Sequence, residues 1–266
     1  MLENLHTHST FCDGKSTPEQ IVLSAIEKNF SAIGFSGHAY TPYDLRYCMK
    51  DTEGYIREIL RLKEKYQTKI RVFLGTEEDA FAPVDRARYD YIIGSCHYCR
   101  TGEKYLPIDS SHGHFKTCLA AFDGDFLRMA EFYYGAFCRY ISERKPDVIG
   151  HFDLLTKYDE QGELSLLGDA HYRKIAEKHL YEAIKSHCIF EVNTGAITRG
   201  LRTAPYPSEH LLHILKKEGA PLTLTSDSHA AETLDSGFTE ARATLRDIGF
   251  RELFVLTEAG FVSTPL

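Results

Sequence analysis

No stretch of the 266 residues approaches the 18 or so consecutive apolar positions that would span a bilayer, so no membrane partner is expected. The N-terminus, Met1-Leu2-Glu3-Asn4-Leu5-His6, lacks both a basic segment and an apolar core, so no secretory signal is expected either. Basic runs and basic–aromatic stripes are also missing. With a net charge of −7, this argues against a protein that coats nucleic acid, and none is expected as a partner. Nor is there a Pro-, Ser- or Gly-rich linker or a low-complexity tract, so residues 1–266 read as one domain. The seven cysteines are odd in number and irregularly spaced, as for reduced thiols in a cytoplasmic protein. Cys96 and Cys99 make one C-x-x-C with no second pair near it, which is poor material for a structural zinc knuckle.

What is present is an alternation of short apolar runs with longer amphipathic stretches. The runs at 3–5, 32–35, 70–74, 91–93, 147–149, 189–192, 222–224 and 253–256 read as buried strands. Between them, Thr17-Pro18-Glu19-Gln20 is a helix start: a threonine cap, proline at the first helical position and glutamine three residues on. Further helices are expected over 53–66, 126–144, 170–186, 208–218 and 239–247, with Gly219 and Gly249 placed to end the last two. Strands separated by helices imply right-handed βαβ units and a parallel sheet. Seven or eight repeats favour an α/β barrel over an open sheet. The stretch 97–124 fits no element and reads as a long polar active-site loop.

Histidines and carboxylates collect where these strands end: His6-Thr7-His8, Gly37-His38, Gly75-Thr76-Glu77, Ser95-Cys96-His97, Gly150-His151-Phe152-Asp153 and Ser226-Asp227-Ser228-His229. Ends of parallel strands converge in a barrel, so the pattern predicts one polynuclear metal site. His6 and His8 lie two apart and can face one ion, as can Asp227 and His229. Glu77, with two oxygens, could bridge two ions. Imidazole and carboxylate donors suit Zn, Mn or Fe. The other histidines read differently. His171, His179 and His187 look like solvated positions of one helix, His210 and His213 look structural, and His112 and His114 could touch a substrate.

This constellation resembles the polymerase and histidinol phosphatase (PHP) family over nearly the whole chain. His6-x-His8 with Asp13 downstream is similar to its first motif, and His38, Glu77, His97, His151 and Asp227-x-His229 to the others. The resemblance implies a distorted (β/α)7 barrel of PHP type, with up to three divalent ions at the C-terminal ends of the strands. Carried over by position, His6, His8, Glu77 and Asp227 would hold one ion, Glu77, His97 and His151 a second, and Asp13, His38 and His229 a third. Some members have histidine where this chain has Asp13. Segments 105–110, 150–158 and 191–195, with Arg199 beyond them, resemble the histidinol-phosphate phosphatase branch, as does the long insertion after His97.

The implied activity is hydrolysis of a small phosphate monoester, L-histidinol phosphate, by a hydroxide bridging two ions. Three divalent ions would outweigh the ligand carboxylates and leave a positive pocket on an acidic protein, suited to a phosphate dianion. Arg199 is the first candidate for phosphate contact and Lys157 the second. Asp109 and His112, in the long insertion, are candidates for recognising the rest of the substrate. Asp153 could orient His151 or serve the leaving group, a role equally open to Asp227 and His229. An exonuclease or nucleotide phosphodiesterase, or a non-catalytic metal-binding domain, are the alternatives; the first is disfavoured by the missing basic groove, the second by the complete ligand set.

Overall fold

The computed structural model describes residues 1–161 and 165–266. Seven strands form one sheet: β1 (Glu3–Asn4), β2 (Ala32–Phe35), β3 (Arg71–Asp79), β4 (Tyr91–Ser95), β7 (Val148–Ile149), β8 (Ile189–Asn193) and β9 (Leu222–Thr225), paired in that order. All six pairings are parallel. The circle closes just beyond the first and last strands. There Thr7 bridges Ser228 in parallel register, His8 N–H donates to the Ser228 carbonyl at 2.8 Å, and Ser228 N–H donates to that of His6 at 3.1 Å. The result is a seven-stranded β/α barrel.

Four helices surround the first half of the chain. They are α1 (Pro18–Glu27), α2 (Thr52–Tyr66), α3 (His112–Ala120) and α4 (Phe126–Arg144). After them come α5 (Ala170–Ile184), the single turn α6 (Gly195–Thr198), α7 (Glu209–Glu218) and α8 (Phe238–Ile248). The capping box expected at Thr17 and Gln20 is formed in both directions. In α2, Tyr55, Ile59, Leu62 and Tyr66 are the buried face, at the i, i+4, i+7 spacing that turns one stripe to the sheet. Each such aliphatic or aromatic side chain contributes roughly 1.5–3 kcal/mol when fully buried. Gly219 and Gly249 end α7 and α8 in the left-handed conformation, as expected. No helix among the described residues is long and apolar enough to cross a membrane.

Three expectations fail. The run 253–256 is not a barrel strand. It lies in β10 (Glu252–Thr257), which turns through Glu258 and Ala259 and pairs antiparallel with β11 (Gly260–Pro265). Gly260, at φ 100°, makes the reversal that a helical crossover would have prevented. The stretch 97–124 is not a loop: β5 (Tyr98–Thr101) and β6 (Lys104–Pro107) form a hairpin, followed by α3, whose start is capped by the Ser111 hydroxyl accepting from His114 N–H. His179 is not solvated but buried in α5, while His187 lies beyond that helix at φ 59°.

The β10–β11 hairpin has a structural place. Leu256 packs among Leu5, Ala32, Phe73, Tyr91, Ile93, Val148 and Ile189, largely the first residues of their strands, and so stoppers the barrel's N-terminal end. Its backbone N–H donates to a Glu3 carboxylate oxygen at 2.9 Å. Above this plug, the Tyr91 ring lies over β3, where a Cβ at Gly75 would stand 2.3 Å from the ring. The Tyr91 hydroxyl donates to the Leu5 carbonyl, so a β4 side chain is fastened to the β1 segment across the interior.

Candidate metal centre

β3 runs three residues beyond the expected 70–74 to Glu77, and on to Asp79. Because alternate residues share a face, Gly75, Glu77 and Asp79 rise along one side of the interior while Glu78 points outward to Arg144, at 2.9 and 3.1 Å. The plug and the Tyr91 ring seal the barrel below; Glu77 stands above them at the open, C-terminal end. Around it gather His6 and His8 after β1, His38 after β2, His97 after β4, His151 after β7 and Asp227 and His229 after β9. Asp13 comes from the turn that follows His8.

The two oxygens of Glu77 face different neighbours. Oε1 lies 3.0 Å from His151 Nε2 and 3.3 Å from His97 Nε2. Oε2 lies 2.7 Å from His38 Nδ1, 3.5 Å from His6 Nε2 and 3.7 Å from His8 Nε2. Asp227 Oδ1 is 3.2 Å from His8 Nε2 and 3.6 Å from His6 Nε2. Asp13 closes the outer side, 3.4 Å from His229 and 3.7 Å from both His8 and His38. Donor atoms fall into four overlapping groups able to hold an ion: His8, Asp13, His38 and His229; His6, His8 and Asp227; His6, Glu77 and His151; and His38, Glu77 and His97. All nine expected ligands appear in them. Of the three sets implied by resemblance, Asp13–His38–His229 recurs with His8 added. His97 and His151 divide between two groups that share Glu77.

These residues fit divalent cations on physical grounds. His6 Nε2 and His8 Nε2 are buried, lie 3.5 and 3.7 Å from Glu77 Oε2, and make no hydrogen bond. Burial by itself would discharge His6, but Glu191, Asp227 and Glu77 outweigh it and raise its pKa well above the usual range. Glu77 shows the converse: burial opposes its charge, and His38, His6 and His97 hold it well below the usual carboxylate range. Burial, His229 and His38 push His8 down to about 3. Carboxylates and imidazoles here stabilise each other's charge until an ion replaces the protons.

A second layer orients the rings. Glu191, inside β8, accepts from His6 Nδ1 at 2.5 Å and from the Thr225 hydroxyl at 2.6 Å with one oxygen. Its other oxygen accepts from His151 N–H at 2.8 Å and Asn193 Nδ2 at 3.0 Å. Asp79 lies 3.2 Å from His97 Nδ1 and also accepts from His97 N–H at 3.0 Å. Neither carboxylate stood among the sequence candidates. Glu191 had a readable signal, a charge in the middle of the apolar run Ile189-Phe190-Glu191-Val192. Asp227, at φ 46°, adopts the left-handed conformation, which turns its carboxylate inward while Ser228 continues the barrel seam.

The site opens into a cleft of ≈ 430 Å³. Arg199 and Lys157 both line it. Arg199, at the end of α6, donates to Asp227 Oδ2 at 3.0 Å and to the Asp227 carbonyl at 3.2 Å. It reaches there across Gly195, where a Cβ would stand 2.9 Å from the guanidinium. Lys157 donates to Asp109 at 3.1 Å, and that pair borders the cleft with Ser110 and His114. Two expectations need correction. His112 does not line the cleft; its ring lies 5.6 Å from that of Tyr158 on the flank of α3, and His114 faces the opening instead. Asp153 is fully buried behind the site, accepts from Ser208 N–H at 2.9 Å and makes no hydrogen bond to the His151 ring. Tyr47 and Tyr98, not anticipated, form an aromatic wall.

A parallel β/α barrel with overlapping His/Asp/Glu ligand groups at its C-terminal mouth defines a metal-centre protein of the barrel-hydrolase class. The PHP domain matches residues 4–195, and the chain belongs to that family. It is 26% identical over 277 aligned residues to a protein of Schizosaccharomyces pombe named "Probable histidinol-phosphatase", covering 94% of this chain and 88% of that one. It is 25% identical to the histidinol-phosphatase of Bacillus subtilis, covering 85% of this chain and 92% of the other. Its fold matches that of histidinol phosphate phosphatase from Lactococcus lactis, a structure complexed with Zn, L-histidinol and phosphate, with a TM-score of 0.73, 22% identity and 98% of each chain covered.

Proposed function

We propose that this protein is a metal-dependent histidinol-phosphatase, hydrolysing L-histidinol phosphate to L-histidinol and phosphate in histidine biosynthesis. The observation that carries this reading is the nine-residue ligand cluster opening into a cleft rimmed by Arg199 and Lys157, in a chain alignable along most of its length with histidinol-phosphatases. On this reading residues 1–266 form one phosphoesterase domain, and the free, scattered cysteines suit work in the cytoplasm.

The cluster would hold up to three divalent ions, Zn, Mn or Fe, with His6, His8 and Asp227, then Glu77 with His97 and His151, and Asp13, His38 and His229 as ligands. Bound ions would supply an acidified water and neutralise charge on the phosphoryl oxygens. The chain's own residues do the rest. Glu77 turns one oxygen to His97 and His151 and the other to His6, His8 and His38, so it would contribute a donor to ions on either side. Glu191 fixes the His6 ring and the His151 backbone together, so two ligands from distant segments keep one relative position. Arg199, already bent over the floor, presents a planar pair of N–H donors to two phosphate oxygens. Its pKa is raised, with Asp227 prevailing over the cost of burial, so it stays charged throughout. Asp153, sealed behind the site, has no path to a leaving alkoxide, and proton return falls to Asp227 and His229 at the cleft floor. Asp109 with Lys157 and the Tyr47–Tyr98 wall face the part of the substrate that projects outward.

The deciding assay measures phosphate release from L-histidinol phosphate, other phosphomonoesters and nucleotide diesters alongside elemental analysis of the same preparation. The expected result is a clear preference for L-histidinol phosphate that vanishes on exhaustive metal removal and returns with added metal. Equal or faster turnover of an unrelated ester overturns the substrate, and full activity after metal removal overturns the mechanism.

A further inference from the structure

Outside the cleft, α4 and α5 carry a second group of ligand types. Cys138 of α4 and His179 and Glu182 of α5 bring one sulfur, one nitrogen and one oxygen within 4.8 Å of one another. His179 Nδ1 lies 3.3 Å from Glu182 Oε2, close to the roughly 3.3–3.8 Å that separates ligands around a tetrahedral ion with bonds of about 2.0–2.3 Å. His179 is 5% exposed, and its Nδ1 has no hydrogen-bond partner. Its other nitrogen is held by Glu131 at 2.8 Å, the carboxylate–imidazole pairing that orients a metal-binding ring. Gly135, one turn before Cys138, leaves room beside the ring, a Cβ there coming no nearer than 3.9 Å.

We propose that Cys138, His179 and Glu182 form a second metal site, separate from the barrel centre, that takes one zinc-class divalent cation. Mixed sulfur, imidazole and carboxylate donors select a borderline cation over Mg or Ca. The fourth position opens to the adjoining surface cavity, where water completes a tetrahedron. Cys138 at present donates its thiol hydrogen to the His179 carbonyl at 3.2 Å. On binding, that proton passes to solvent and the thiolate takes the ion, so the site fills with loss of one proton from Cys138. Arg139, Lys145 and Lys185 border the cavity, and Lys178 pairs with Glu131. These cations weaken the site relative to the barrel centre and make it the last to fill. A bound ion would tie α4 to α5 through donors 41 residues apart in the chain.

Cobalt(II) distinguishes the two centres, because the nine barrel ligands offer nitrogen and oxygen whereas this site adds a sulfur donor. Titrating the full-length protein with cobalt should produce a near-ultraviolet sulfur-to-cobalt charge-transfer band after the first, stronger equivalents have bound. Cys138→Ser should abolish the band and lower bound cobalt by one equivalent. Glu182→Gln, a change at an exposed position, should keep the fold and shift the band's midpoint at least tenfold higher in cobalt. Cys12→Ser is the control, since Cys12 Sγ lies 3.6 Å from His8 Nδ1 at the barrel centre. No band, a band that persists in Cys138→Ser, or one lost in Cys12→Ser overturns the proposal. The first outcome would leave His179 as an imidazole clasped between Glu131 and Glu182.

Discussion

Glu77 and Glu191 are both buried carboxylates among histidines, yet they differ in what they touch. Glu77 faces five rings directly, so Glu77→Gln removes a shared charge and should lower turnover by several orders of magnitude with loss of bound metal in elemental analysis. Glu191 acts through His6 and His151. Glu191→Gln keeps its shape and should weaken metal binding about 10–100-fold while kcat at saturating metal falls far less. Arg199→Ala should raise KM more than it lowers kcat if its grip is equal in the ground and transition states; an unchanged KM removes it from the phosphate site. At this scale the donor residues were legible because few side-chain types bind metals and they sat at strand ends. Asp153 departs from expectation because the chain turns after β7 into the short helical segment Leu154–Thr156, and the carboxylate there accepts from Ser208 N–H rather than from a ligand ring. His112 was misread because a capping serine starts a helix there and turns that ring to the flank.

Among the elements, the hairpin that stoppers the barrel was the hardest to foresee. Its first strand has the same apolar run as the barrel strands, and only the chain reversal at Gly260 distinguishes it. Glu3 lies against this plug, and burial raises its carboxyl to about 7 against the ordinary 4.5 even though the Leu256 N–H favours its charge. Folded Glu3 thus keeps its proton over a range where the unfolded chain has released it. Its contribution is full below pH 4.5, falls as pH rises toward 7, and is worth on the order of 3 kcal/mol in all. Glu3→Gln should flatten this dependence. Denaturant unfolding of both proteins from pH 5 to 7.5 should show the parent losing stability relative to the variant, and parallel curves would refute the assignment. In the storey above, Gly75→Ala would press a methyl into the Tyr91 ring and should cost about 1–3 kcal/mol by the same method. The parallel order and helix positions were legible from periodicity; the β5–β6 hairpin and α3 were hidden because their apolar content is slight.

For the whole molecule, the circle of strands is joined where the metal ligands sit. Asn4 donates to the Ser226 hydroxyl at 2.7 Å and to the Leu234 carbonyl at 3.0 Å, and backbone hydrogen bonds tie His6 and His8 to Ser228 and Lys15 to His229. At the same seam His6, His8 and Asp227 bring their ligand atoms together. Ions bound there act on the folded state alone, and at a hundredfold excess over Kd each stabilises by about 2.7 kcal/mol. Chelation should therefore lower the melting temperature of the parent protein markedly, and that of Glu77→Gln much less. Equal shifts in both would mean that the released ions do not depend on Glu77.

The seam also places the site in time. The residues it joins are 222 positions apart, and at roughly 5–20 residues per second a ribosome needs on the order of 10–45 s to deliver the second after the first. Through that interval His6 and His8 are in the nascent chain while Asp227, which lies 3.2 Å from His8 Nε2 in the folded protein, has yet to be made. A metal ion arriving early would meet two of the three donors of the His6, His8 and Asp227 group, which is complete only when the last barrel strand joins the first.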